Sequence, residues 1–491
     1  MPCRVSQSVL LMALAVAAPA AHGADRLNVV FFLVDDLGWT DLGCYGSSFY
    51  ETPNIDRLAA SGMRFTNAYA ACPVCSPTRA SILAGRYPSR TGITDYISPS
   101  GGNQPAKWRR NTRLMPAPYK DRLPHREVTL AEALKEAGYA TFFAGKWHLG
   151  PEGHWPEDQG FDVNQGGITR GGPYGGKRYF SPYGNPRLKD GPPGEHLPAR
   201  LAKETVKFIT DNRKGPFLAY LSFYSVHTPL MARADLREKY RKKRQALDAQ
   251  AVAEEFSRKE HRRRVRTLQA HAVYAGMVQA MDEAVGTVLD SLNRLGLDKN
   301  TVVFFMSDNG GLSTSEGHPT SNLPLRGGKG WMYEGGIREP MIARWPGVTR
   351  AGAVCDDVVT STDFYPTILE ITGLQPRPEQ HRDGMSFVPV LRGGRRDRGA
   401  ILWHYPHYGN QGGAPAGAIR DGKWKLIEWY EDRRVELFDL DKDLGETTDL
   451  ARQHPDRAQA MQATLHRMLK ETGAVMPMPN RRFDPKKREG R

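Results

Sequence analysis

The chain predicts an α/β fold with one large, doubly wound, mostly parallel sheet flanked by helices, followed by a small C-terminal antiparallel-sheet subdomain with a helix. Three observations carry this expectation. Near-continuous apolar runs at Leu27 to Val34, Ala140 to Ala144, Phe217 to Val226 and Thr301 to Met306 read as strands covered on both faces. Helical patterns lie between them, such as Thr129 to Ala137 and His271 to Leu295, and this alternation implies parallel pairing. After about residue 395 the pattern changes to short strands at Ile401 to Tyr405, Ala418 to Tyr430 and Val435 to Leu440. Arg420-Asp421-Gly422-Lys423 reads as a hairpin turn, and a helix follows from about Asp456 to Thr472.

Each apolar run of the large sheet delivers polar residues. The first ends in Asp35-Asp36, the second precedes Gly145-Lys146-Trp147-His148, the third precedes His227, and the fourth precedes Ser307-Asp308-Asn309-Gly310. Open α/β sheets bind ligands beyond the carboxyl ends of their strands, so these clusters mark the candidate site. The stretch from Asn164 to Gly194 is crowded with Gly, Pro and Tyr and reads as a long irregular loop near it.

The expected organisation is a signal peptide over 1–24, a catalytic domain over 25–395, an α+β subdomain over 396–475 and a flexible tail over 476–491. Arg4, the apolar stretch from Val9 to Ala18 and the small residues of Ala21-His22-Gly23 form the signal-peptide pattern, which implies a periplasmic or secreted protein. No second apolar run approaches the length of a membrane span. With 491 residues, 40% hydrophobic and 25% charged, the composition is that of an ordinary globular protein. The formal net charge of +14 suits a polyanionic partner. Zinc-finger, RRM and helix-turn-helix signatures are missing from the sequence, so a nucleic-acid partner is not expected. The dense basic run from Arg237 to Arg266 reads as a solvated charged helix. Cys44, Cys72, Cys75 and Cys355 are too sparse for a disulfide scaffold, and their pairing stays open.

Asp35 and Asp36 alone suit a helix N-cap. Asp308 and Asn309 at another strand end change that reading, because three carboxylates and an amide oxygen suit a hard divalent cation such as calcium. Lys146 and His148 stand two apart and share a face of an extended segment. His227 follows a strand, and Lys329 sits among glycines in Arg326-Gly327-Gly328-Lys329-Gly330, where the backbone can approach an anion closely. Together the cationic groups supply fixed charge for an anionic transition state.

Cys75-Ser76-Pro77-Thr78-Arg79, followed by Leu83-Ala84-Gly85-Arg86, resembles the maturation signature of the type I sulfatases of the alkaline-phosphatase-like superfold. Matching stretches include Thr52 to Leu58, Gly160-Phe161-Asp162, Tyr333 to Pro340 and Glu436 to Leu440, so the resemblance spans nearly the whole mature chain. It implies a sulfuric ester hydrolase in which a maturation enzyme oxidises Cys75 to formylglycine, whose hydrate is the nucleophile. It further implies that Asp35, Asp36, Asp308 and Asn309 bind one calcium ion, with the modified Cys75 completing the shell. Arg79 and His148 would hold the hydrate, and Lys146 and Lys329 would grip sulfate. His227 would protonate the leaving alcohol, His148 would be the base that collapses the sulfated hydrate, and Asp308 would accept the proton lost before attack. Ala84 stands where Thr is commoner in the family.

The look of the chain is similar to bacterial N-acetylgalactosamine-sulfatases and arylsulfatase A-like enzymes. That implies a sulfated glycan as substrate, a galactose or N-acetylgalactosamine 4-O- or 6-O-sulfate. His404, His407 and Arg170 are candidate sugar contacts, with Tyr174 and Arg178 as further ones. The alternatives are a small aryl sulfate, or a phosphodiester or phosphonate as in other hydrolases of the superfold.

Overall fold

The computed structural model describes residues 26–487, so the expected signal peptide lies outside the described residues. Among these residues no helix is long and apolar enough to cross a membrane.

The large sheet contains β1 (Asn28–Val34), β2 (Met63–Phe65), β3 (Ala140–Gly145), β4 (Val163–Gln165), β5 (Phe217–Ser222), β6 (Thr301–Ser307), β7 (Met341–Arg344) and β8 (Ala353–Cys355). Their order across the sheet is β8-β2-β7-β6-β1-β5-β3-β4. Every pairing is parallel except the two that β7 makes, with β6 and β2. The runs are continuous because both faces are covered. In β1, Val29, Phe31 and Leu33 enter one core while Val30, Phe32 and Val34 enter the other. Phe31 stacks on Tyr220 at 4.8 Å between ring centres, tying β1 to β5 through aromatic burial as well as through the ladder.

Helices α1 (Cys75–Ala84), α2 (Leu130–Glu136), α3 (Leu197–Asp211) and α4 (Ala272–Arg294) flank this sheet. Local chemistry sets their starts. Thr129 and Glu132 form a reciprocal capping box on α2, and the His271 side chain accepts from the Tyr274 N–H at the start of α4. The run expected to continue to Val226 leaves the sheet after Ser222. Its next residues bond the end of β1 instead, with Asp35 N–H donating to Ser225 O at 2.9 Å and Val226 N–H to Asp35 O at 2.6 Å.

The C-terminal sheet is a meander of β9 (Ile401–Tyr405), β10 (Ala416–Asp421), β11 (Trp424–Trp429) and β12 (Val435–Asp439). Gly422 and Lys423 form its two-residue turn, and Gly422 has φ 56°. Helix α5 (Pro455–Glu471) buries Met461, Leu465 and Leu469 against Leu402, Ile419, Leu426 and Leu437 on one face. The other face packs Trp403, Tyr405 and Trp429 against Trp331 and Tyr333 of the large domain.

Two expectations need correction, and the open question of cysteine pairing is answered for the described residues. The tail does not fray where it is described: Met478–Pro479 pairs with Leu114–Met115, and Asn480 bonds the carbonyls of Thr112 and Arg113. The basic run is not one helix. It divides into Ala234–Gln245, Ala249–Ala253 capped by Asp248, and a hairpin of Arg258–Glu260 with Arg263–Val265. Arg266 is buried there because Glu255 pairs with it at 2.8 Å. All four described cysteines are free thiols.

Candidate active site

Strand β1 carries Asp35 and Asp36 into the centre. Successive side chains of a strand point to opposite faces, yet both carboxylates serve one cluster because Asp36 takes φ 61°. His148, beyond β3, takes φ 59° for the same purpose. Gly145 before it is required: with φ 100°, a Cβ there would stand 1.8 Å from Ser222 O. Asp308 and Asn309 follow β6, and a Cβ on Gly310 would meet Gly335 O at 1.9 Å. The glycine pair preceding Ile337-Arg338-Glu339 has its own close contacts, since a Cβ would meet Arg326 O at 2.6 Å from Gly335 and Trp331 O at 2.1 Å from Gly336.

Helix α1 begins on Cys75, and all ten of its residues are buried. Cys75 and Arg79 stand four residues apart, so they share one helix face. The Arg79 guanidinium spans the floor, donating to Asp308 Oδ2 at 2.8 Å and to Lys146 O at 2.8 Å. Cys75 Sγ lies 3.3 Å from His148 Nδ1. His148 Nε2 lies 2.8 Å from Ile97 O, an acceptor, which assigns the ring proton to Nε2 and leaves the Nδ1 lone pair facing Cys75.

Two buried ion pairs complete the centre. Lys146 Nζ is 2.6 Å from Asp35 Oδ2, and Lys329 Nζ is 2.7 Å from Asp36 Oδ1. His227 Nε2 is 3.8 Å from Asp36 Oδ2, and its Nδ1 is 2.7 Å from Thr228 O. Ligand atoms of Asp35, Asp36 and His227 all lie within 4.8 Å of one another. Asn309 Nδ2 donates to Asp36 Oδ1 at 2.8 Å, while Asp35 Oδ1 and Asn309 Oδ1 are buried without a hydrogen-bond partner. Buried oxygens are seldom left unpaired, so this donor set fits a hard divalent cation.

Burial pushes the His227 imidazole down to about 3, and Lys329 beside it adds to the shift. Burial and then Lys146 hold His148 well below the usual imidazole range. Burial also raises the Cys75 thiol, against the opposing pull of Lys146 and Lys329. Burial presses the Lys329 ammonium down, but Asp36, Cys75, Glu316 and Asp35 together hold it well above the ordinary lysine range.

The sequence-derived catalytic and metal candidates therefore converge on one centre. The candidate sugar contacts His404, His407 and Arg170 do not. His404 and His407 are 3% and 1% exposed. His404 Nδ1 is 2.8 Å from the Tyr430 hydroxyl and its Nε2 is 3.1 Å from Val475 O, while His407 Nε2 is 2.9 Å from Thr94 Oγ1. Both rings brace the small subdomain and offer no edge to a sugar. Arg170 donates to Gly184 O at 2.9 Å and so braces its own loop.

Two residues near the centre, Glu316 and Glu339, escaped sequence reasoning, whereas Tyr174, a further candidate sugar contact, does reach it. Tyr174, 52% exposed, stands edge-on to the His227 ring at 6.3 Å. Glu316 accepts from Thr228 Oγ1 at 3.3 Å and from Asn410 and Gln411 at 3.0 and 2.9 Å, linking the His227 turn to the small subdomain. Glu339 is fully buried with neither carboxylate oxygen paired, and burial with Asp308 and Asp36 nearby raises it well above the carboxylate range. Its signal was its place in the Tyr333 to Pro340 stretch; Glu316 carried none.

Fold and site together define a hydrolase of anionic esters. The sulfatase family model matches residues 27–374, and a model of the C-terminal part of N-sulphoglucosamine sulphohydrolase matches residues 328–474. A Formosa agariphila sulfatase is 35% identical, covering 88% of this chain and 85% of its own. Mouse N-acetylgalactosamine-6-sulfatase is 32% identical, covering 92% and 83%. The crystal structure of Ps i-CgsB, 27% identical, superposes with a TM-score of 0.74 over 92% of this chain and 95% of that one. Phosphonate monoester hydrolase of Agrobacterium radiobacter, 21% identical with a TM-score of 0.63 over 93% of this chain and all of its own, shares the fold. The chain belongs to the sulfatase family, with the alkaline-phosphatase-like fold, and is a sulfuric ester hydrolase.

Proposed function

We propose that the protein releases sulfate from a sulfated carbohydrate, a galactose or N-acetylgalactosamine 4-O- or 6-O-sulfate, in the periplasm or after secretion. The observation that carries the chemistry is Cys75 Sγ 3.3 Å from His148 Nδ1, in a buried centre that also holds Arg79, Lys146 and Lys329. The carbohydrate reading is supported by relatives named N-acetylgalactosamine-6-sulfatase and by a structural neighbour solved with k-i-k-neocarrahexaose.

The Cys75 thiol marks where a maturation enzyme would make formylglycine, whose hydrate would supply the nucleophile. Asp35, Asp36, Asp308 and Asn309 would hold one calcium ion, which would supply positive charge and acidify a neighbouring hydroxyl. Lys146 and Lys329 then bind sulfate oxygens, their charge secured by Asp35 and Asp36. Arg79, fixed by Asp308, orients the group at position 75. His148 accepts a proton at Nδ1, since Ile97 O fixes the other tautomeric hydrogen at Nε2. His227 carries its neutral hydrogen on Nδ1, toward Thr228 O, so protonation at Nε2 makes it the acid for the leaving alcohol. The incoming sulfate places negative charge beside that ring and favours its protonation.

The test is sulfate release from paired 4-O- and 6-O-sulfated N-acetylgalactosamine, with calcium present and Cys75→Ala as control. Release from one isomer that disappears in the control supports the reading and fixes the regiochemistry. Turnover confined to aryl sulfates or phosphonate monoesters overturns it.

A further inference from the structure

We propose a second anion-binding site, taking a further sulfate group along a sulfated saccharide chain, in a basic cleft walled by the segments that clamp the His148 loop. This rests on the carbohydrate reading above. The cleft has a volume of about 740 Å³ and includes Lys107, Lys120, Arg122 and Arg126 in its lining, with Asp121 as its one carboxylate. Three positive charges remain when the four cations are set against that acid. Lys107 reaches Ser100 O at 2.6 Å, and Arg122 pairs with Asp121 at 2.8 Å. Arg126 lies 3.4 Å from Glu127, a buried acid that Arg86 also holds at 3.0 Å. The Lys120 stem packs on Gly92, whose φ is 82° and where a Cβ would stand 3.0 Å from the stem. Burial and the repulsion of Arg126 both press the Lys120 ammonium toward deprotonation. An anion bridging these two groups relieves that repulsion.

The cleft is joined to the catalytic loop at three points. Ile97, whose carbonyl holds His148 Nε2, is followed directly by Ser98 on the cleft rim. Leu123 N–H donates to Leu149 O at 2.8 Å, and Trp147 Nε1 donates to His154 O at 2.8 Å. His125 and His154 stack at 4.3 Å between ring centres, and with Pro99 and Pro124 they give the cleft apolar faces beside its cations. Guanidinium and ammonium groups beside flat apolar faces suit a sulfated sugar: the charges meet sulfate while the faces meet C–H surface. The established activity releases sulfate, so a multiply sulfated chain brings further sulfates that a cleft packed against the His148 loop can take.

The experiment compares the matured full-length enzyme with a Lys120→Glu, Arg126→Glu double variant. Dextran sulfate binding is measured at low and at physiological ionic strength, and turnover of 4-nitrophenyl sulfate is measured alongside. Removing charge complementarity at the cleft is expected to weaken dextran sulfate by roughly ten-fold and flatten its salt dependence, leaving aryl turnover within about two-fold. An Arg237→Glu, Lys242→Glu variant, which changes net charge equally on the exposed face of Ala234–Gln245, is expected to bind as the parent does. A Lys120→Gln, Arg126→Gln variant, milder toward folding, is expected to fall between. Unchanged dextran sulfate affinity in both cleft variants overturns the proposal. So does an equal loss in the Arg237/Lys242 control, or equally tight binding of a single-stranded DNA oligonucleotide. The two readings fail separately. Sulfate release from N-acetylgalactosamine sulfates with cleft-independent binding removes only the cleft; cleft-dependent binding without release from any sulfated sugar removes only the substrate assignment.

Discussion

Four of the five buried histidines among the described residues form two pairs, His148 and His227 on the large sheet and His404 and His407 on the small one, with His196 apart on the loop before α3. All are less than a tenth exposed, and burial is the leading cause holding each ring below the ordinary imidazole range. Burial and charge state therefore do not distinguish them. What does is how their ring nitrogens are used and what stands beside them. His148 turns an unprotonated Nδ1 to Cys75, and His227 turns Nε2 toward Asp36 and Lys329. His404 has both nitrogens in hydrogen bonds, and His407 meets Thr94 through Nε2 while its Nδ1, 3.8 Å from Asp95 Oδ2, is shut away from solvent with Tyr119 and Tyr405 edge-on to the ring. A charged neighbour does not suffice: a perturbed histidine is a catalytic candidate only where its ring edge faces the reacting centre.

The comparison predicts its largest effect at the residue His148 faces. Cys75→Ala is expected to lower sulfate release by at least about a thousand-fold without unfolding the protein, because the group that meets the ester is gone. Activity near the parent level, read by ion chromatography of released sulfate, would remove Cys75 from the chemistry and His148 with it.

His227→Ala comes next. General acid catalysis contributes about 10²- to 10⁴-fold. A loss in that range is expected on sugar sulfates, whose alcohols leave poorly, and a smaller one on 4-nitrophenyl sulfate. Equal losses on both esters would show that His227 binds sulfate rather than protonating the alcohol.

Calcium sharpens the contrast between the pairs. At about a hundred-fold over its Kd, a ligand of the native state alone adds about 2.7 kcal/mol of stability. Calcium is expected to raise the melting temperature of the parent and not that of Asp308→Asn. The His227 ring signals should shift with the metal while those of His404 stay fixed. A shift at both pairs would mean that the small subdomain responds to the site as well.

The large-sheet pair was legible because its residues fall at strand ends, where topology brings separate segments together whatever the chemistry. The strands themselves were legible because burial on both faces makes the runs continuous. Sequence reading failed where tertiary contacts decide. His404 and His407 lie in a segment, His404 to Tyr408, that suggests sugar binding, and only packing against Tyr430, Thr94 and Val475 shows where their nitrogens go. Glu316 sits outside any motif and acquires its place through Thr228, Asn410 and Gln411. The tail reads as frayed by composition, but two residues of it complete a ladder with Leu114–Met115.

The smallest effect tests the second pair directly. Burial holds His404 at about 4, below its unfolded value near 6.5. The folded state thus binds fewer protons than the unfolded state between those limits. The stability linked to this ring is fully present above about pH 6.5 and is lost as pH falls toward 4. His404→Gln replaces the ring with an uncharged donor and acceptor, so it is expected to cost about 1–3 kcal/mol through imperfect hydrogen bonds near neutrality. Its stability should then fall less steeply with acid, by up to about 1.4 kcal/mol per pH unit. Urea unfolding of both proteins across this range measures the difference. Parallel curves would mean that His404 is charged in the folded protein, and a matching fall in sulfatase turnover would place it with His148 and His227 after all.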